Sequence, residues 1–168
     1  MRNVKIERNS WDHYFILQCF LVSTRSLDAQ TQHGCVLVDD NKNIVSTGYN
    51  SFIRNINDAV LPNTREFGKY TWMIHSENNA ILSCSSRGQS TSGLTAYITG
   101  PPCINCLQYM YQSGIKKIIY YNQTSHMMAT DEAKKNEELL KSLIDIEITE
   151  IEKNVELDTK ISQIKSCR

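Results

Sequence analysis

The chain has 168 residues, 40% of them apolar, with 18 Lys+Arg balanced by 18 Asp+Glu. This length suits one domain with its own core, and zero net charge excludes a broadly basic nucleic-acid-binding surface. Seven Gly and three Pro are too few for a collagen-like or Pro/Gly-rich disordered chain.

Residues 10–24 predict an amphipathic helix. Ser10 suits the N-cap, Asp12 falls in the first turn, and Trp11, Phe15, Cys19 and Val22 recur at helical spacing. The stretch 14–22 has the length of a signal-peptide core, but Gln18 breaks it and Ser23-Thr24-Arg25 replaces a small-residue cleavage site. No run reaches the ~20 apolar residues of a membrane span, so a cytoplasmic protein is expected. Residues 35–38 and 44–47 read as a β-hairpin that turns at Asp39-Asp40-Asn41 and ends at Gly48-Tyr49-Asn50. The polar, weakly periodic stretch 51–74 is a long insertion, of the kind that serves function or an interface. Beyond it come a helix over 76–84, a strand over 94–99 and a helix over 103–113 ended by Gly114. A strand over 116–121, a helix over 131–143 and an edge strand over 146–151 complete the pattern. This order predicts an α/β fold, a three-layer α-β-α sandwich around one mixed five-stranded sheet. The domain is expected to span 1–151, and 152–168 to form a charged, partly mobile tail.

Six cysteines could form three disulfides, but Cys19, Cys35 and Cys84 sit in apolar or helix-like contexts and read as core residues. Cys103 and Cys106, without a secretion signal, suit a metal site or a redox pair. Two further features decide between these. Cysteines three apart at a helix start share one face, where the dipole favours thiolates. His75 heads the preceding helix and offers a third ligand, and Glu77 stands two residues on. The pattern His-x-Glu…Pro-Cys-x-x-Cys is the signature of zinc nucleobase deaminases. A structural zinc site wants four protein ligands, and 51–74 holds no Cys or His to complete one, so an open catalytic site with one Zn²⁺ per chain is expected.

With these motifs the chain resembles the deoxycytidylate (dCMP) deaminases of the cytidine deaminase superfamily. The resemblance runs from Trp11 to about Glu150. It is carried by Arg25-Ser26-Leu27-Asp28, Gly48-Tyr49-Asn50, Lys69-Tyr70, His75-Ser76-Glu77, Pro102-Cys103-Ile104-Asn105-Cys106 and Gln112-Ser113-Gly114-Ile115-Lys116. It implies hydrolytic deamination of dCMP to dUMP and ammonia, supplying dUMP for thymidylate synthesis. Zinc would be held by His75, Cys103 and Cys106, with Glu77 as proton shuttle. Asn50 and Ser76 would contact substrate, Arg25 and Ser26 its 5′-phosphate, and His126 would face the site. The alternative is deamination of cytosine or adenine in single-stranded DNA or tRNA, which the lack of a basic or aromatic stripe disfavours. The resemblance also implies a homo-oligomer, with a hexamer favoured, and Mg²⁺ on the phosphates of a nucleotide effector. Two departures stand out: Ser76 where the family has Ala, and Ser51-Phe52-Ile53 where relatives have Gly and a nearby Pro in a regulatory loop. Added bulk at Ser51 predicts weak or absent activation by dCTP and inhibition by dTTP.

Overall fold

The computed structural model describes residues 8–62, 64, 66, 68–122 and 130–167. Five strands form one sheet: β1 (Gly34–Val38), β2 (Ile44–Tyr49), β3 (Thr95–Ile98), β4 (Lys117–Tyr121) and β5 (Glu147–Ile151). Their order is β2-β1-β3-β4-β5, antiparallel on both sides of β1 and parallel from β3 to β5. The helices are α1 (Trp11–Ser23), α2 (Ser76–Ser85), α3 (Ile104–Gln112), α4 (Asp131–Leu143) and α5 (Val155–Lys165).

Alternation along the strands builds two cores, one on each face of the sheet. Val36, Val38, Tyr97, Ile119 and Tyr121 pack with α1 and α5. Cys35, Leu37, Ala96, Ile98 and Ile118 pack with α2 and α3 on the opposite face, joined by Leu140 of α4. The expected three layers are present, and Cys19, Cys35 and Cys84 are buried free thiols.

Two expectations need correction. In α1 the buried stripe is Phe15, Ile16, Cys19, Phe20 and Ser23. Trp11, at its head, is 56% exposed, with its ring stacked on Phe15. Within 152–168, expected to be a charged tail, residues Val155–Lys165 form α5. Asn154 caps α5 by accepting from the Leu157 N–H at 2.8 Å, and Leu157 and Ile161 complete the α1-side core. Its charges mask an apolar spacing of four residues, Leu157 to Ile161, which suffices to seat a short helix.

Glycine sets how close α2 comes to the sheet. A Cβ at Gly48 would lie 2.2 Å from the Ser76 carbonyl oxygen and 2.4 Å from the Ala80 nitrogen. Backbone cannot yield cheaply there, so Gly48→Ala is expected to destabilise the fold by about 1–3 kcal/mol or more, read as a lowered urea midpoint. Because α2 starts with the chemistry-bearing residues, the same change should displace them.

Candidate active site

The N-termini of α2 and α3 meet beside the end of β3. His75 and Cys103 are the N-cap residues of the two helices, both with extended backbone, and neither side chain caps its own helix. Their side chains are therefore released toward each other. His75 Nδ1 lies 3.3 Å from Cys106 Sγ and 3.6 Å from Cys103 Sγ, and the donor atoms of all three lie within 4.8 Å of one another. Tetrahedral zinc with ordinary Zn–N and Zn–S bonds sets an N···S separation of about 3.6 Å. The three residues fit the ion, with Nδ1 as the imidazole ligand. Among the described residues this is the one group of three His, Cys, Asp or Glu side chains close enough to share a metal. No matching group for Mg²⁺ accompanies it there.

Without metal the trio shares protons unequally. Cys103 is held down to about 4 by the hydrogen bond from Cys106, aided by His75. Cys106 is pushed far up because it donates in that pair and is buried, and the hydrogen bond with Cys103 raises His75.

Glu77, in the first turn of α2, is 6% exposed and lines a cavity of about 380 Å³ together with His75, Ser76 and Cys103. Its Oε2 accepts a 2.8 Å hydrogen bond from the Ser76 hydroxyl. Ser76 thus orients Glu77 in addition to lining the cavity, a role that the Ala-to-Ser departure makes available.

Asn50 lines the same cavity, but its amide is committed to the protein. Oδ1 accepts from the His33 N–H at 2.7 Å, and Nδ2 donates to Asp28 Oδ2 and the Thr31 carbonyl. Asp28 is the hub of this wall. Its carboxylate also receives the Gln30 and Thr31 N–H groups and both contacts of Lys69 Nζ, each 2.7 Å. Lys69 is 3% exposed, lines the cavity, and fastens the insertion to the 28–33 loop. Sequence reasoning missed it as a site residue. It shares the insertion with Arg54 and Arg65, and nothing in periodicity pairs it with a carboxylate 41 positions away.

Neither Arg25 nor Ser26, the expected phosphate pair, is among the residues lining this cavity. Arg25 is exposed and lines a second cavity of about 440 Å³ with Ser51, Arg54 and Asn55, outside the catalytic one. Ser26 is buried, its hydroxyl accepting the Asp28 N–H at 3.2 Å. The two cavities share Met73 in their walls, and residue type alone does not reveal which of them Arg25 lines. Ser51 is tied into the loop, accepting from Asn79 Nδ2 at 3.0 Å and bridging to Ile74. His126 lies outside the described residues.

Residues 9–122 match the family described as the cytidine and deoxycytidylate deaminase zinc-binding region. The chain is 39% identical over 120 residues to a probable deoxycytidylate deaminase of Drosophila melanogaster, covering 66% of this chain. It spans 58% of the fly protein's length, under two thirds. It is 34% identical over 121 residues to the human deoxycytidylate deaminase, covering 69% of this chain and 67% of that one. A dCMP deaminase from the cyanophage S-TIM5, solved in complex with dCMP and dUMP, superposes with a TM-score of 0.68 over 87% of this chain and 100% of its own, at 18% identity. That likeness concerns the fold. The His75, Cys103 and Cys106 trio lies within the matched segment, on the helix starts that a zinc-binding deaminase requires, and the chain belongs to the cytidine and deoxycytidylate deaminase family.

Proposed function

We propose that the protein is a zinc-dependent deaminase that converts dCMP and water to dUMP and ammonia. The observation that carries this reading is the buried Glu77 carboxylate in one cavity with His75 and Cys103, whose sulfur and nitrogen spacing suits zinc. The similarity to named deoxycytidylate deaminases supports the substrate.

When bound, zinc supplies Lewis acidity that lowers the pKa of water at its open position. His75, Cys103 and Cys106 would hold it. Glu77 takes the proton of the attacking water and delivers it to N3 of cytosine as C4 becomes tetrahedral. It then carries the second proton to the exocyclic amine, which leaves as ammonia and restores the C4 carbonyl of dUMP. The Ser76 hydroxyl fixes Oε2 so that the other carboxylate oxygen faces the substrate. At the far wall, Lys69 is the Lys or Arg side chain that lines the cavity among the described residues, and its ammonium has three donors to share between Asp28 and a 5′-phosphate.

Metal analysis should find one zinc per chain, and Cys103→Ala should lose metal and turnover together. Loss of cytosine absorbance on adding dCMP, abolished by a chelator and restored by zinc, tests the reaction. Retained turnover in metal-free protein would contradict it. A cytoplasmic homo-oligomer, with a hexamer favoured, belongs to the same reading; exposed Tyr70 and Trp72 on the insertion suit such contacts.

A further inference from the structure

The two cavities lie back to back, and the same stretches of chain wall both. Asp28 lines the catalytic cavity and Leu27 the second one. Asn50 lines the catalytic cavity, and its neighbours Tyr49 and Ser51 line the second. Met73 lines both. Asp28 and Asn50 are held in the partition by the 3.1 Å bond from Asn50 Nδ2 to Asp28 Oδ2, and by Lys69 on the same carboxylate. Met73 adds an apolar side chain, 8% exposed. Its backbone is fixed on both sides. The Met73 N–H donates to the Lys69 carbonyl at 2.8 Å, and Ile74 exchanges backbone hydrogen bonds of 2.8 and 3.1 Å with Ser51. The side chain itself is unbranched and soft, and it contributes bulk rather than a strong bonding group.

The two sides of the partition differ in charge. On the catalytic side, Lys69 is the Lys or Arg among the described lining residues, and Asp28 already takes two of its three donors. The one that remains suits a single phosphate group. On the other side stand Arg25 and Arg54, neither with an ion-pair partner among the described residues. Guanidinium groups bind phosphate oxygens in pairs. The catalytic cavity, about 380 Å³, is near the small end of ligand sites, and about 440 Å³ more lies behind the partition. Lys69 and Met73 both line the catalytic cavity and are joined by their backbone bond, so a phosphate on Lys69 stands at the partition. A second phosphate attached to it finds no free Lys69 donor, and Met73 separates it from the two arginines. We propose that Met73 is a specificity residue, whose side chain restricts the site to nucleoside monophosphates by closing it off from the Arg25 and Arg54 cavity. The assignment rests on the cytosine-nucleotide reading and adds how the site limits the phosphate chain.

Ammonia release by the zinc-loaded protein from dCMP and from dCDP tests it, read as the ratio of the two kcat/KM values. The wild type should prefer dCMP by about 10-fold or more, because the second phosphate is buried without a partner. Met73→Ala should raise the relative turnover of dCDP about 10-fold, the worth of one charge-assisted hydrogen bond to a guanidinium. Met73→Leu, which keeps the bulk, should keep the wild-type preference. Adding Arg25→Ala and Arg54→Ala to Met73→Ala should remove the gain. An unchanged ratio in folded Met73→Ala overturns the Met73 assignment alone. So does a wild type that takes dCDP as readily as dCMP, or a gain that survives the loss of both arginines. If Met73→Ala loses its fold, an unchanged ratio in folded Met73→Val, a smaller truncation, overturns the assignment instead. No ammonia from any cytosine nucleotide with the wild type overturns the functional reading and this assignment with it.

Discussion

Glu77→Gln is expected to retain fold and zinc while losing about 10²- to 10⁴-fold in turnover, the usual contribution of a positioned proton-transfer group. The amide keeps the size of the carboxylate, and its oxygen can still accept from the Ser76 hydroxyl, so α2 has no reason to move. What it cannot do is take a proton from water and pass it to the ring. On the free-energy scale the loss is about 3–5 kcal/mol of transition-state stabilisation. Metal content and far-UV circular dichroism check that only chemistry has been removed. Near-normal turnover in a zinc-loaded variant would take Glu77 out of the mechanism.

Lys69→Met carries the largest expected effect on stability. It leaves the Asp28 carboxylate buried with its backbone and amide donors but no countercharge. Removing one partner of a buried ion pair typically costs about 3–5 kcal/mol, chiefly the cost of the charge left behind. The loss should appear as a lowered urea midpoint. Asp28→Asn added to Lys69→Met should recover part of it, since the buried charge then disappears, and the two effects should be strongly non-additive. Additive effects would show that the pair is not coupled. Because Asp28 also holds Asn50 and the 28–33 loop, Lys69→Met should raise KM as well.

The metal ligands were legible because their chemistry is local. A Cys-x-x-Cys at a helix start and a His before a helix are short-range patterns, and each fixes its geometry through the helix that follows. The sheet was legible for a similar reason, since each strand is a compact apolar run bounded by turn residues. The substrate wall was not. It is assembled from Asp28, Asn50 and Lys69, residues far apart in sequence whose meeting depends on how the insertion folds back. Arg25 and Ser26 illustrate the converse: their chemistry suits a phosphate, but the turn after α1 places them beside the second cavity or inside the loop. The final helix was hidden by charge, because only Leu157 and Ile161 among its residues are buried. His33 gave no signal either, since its contact with Thr99 joins residues 66 positions apart.

The most direct measurement is ammonia release by the zinc-loaded protein from a panel of dCMP, CMP, deoxycytidine, cytosine and a cytosine-containing oligonucleotide. The proposed function predicts release from dCMP with the highest kcat/KM of the panel, lost in Glu77→Gln and in metal-free protein. Release confined to the oligonucleotide, or none from dCMP with zinc bound, would contradict it.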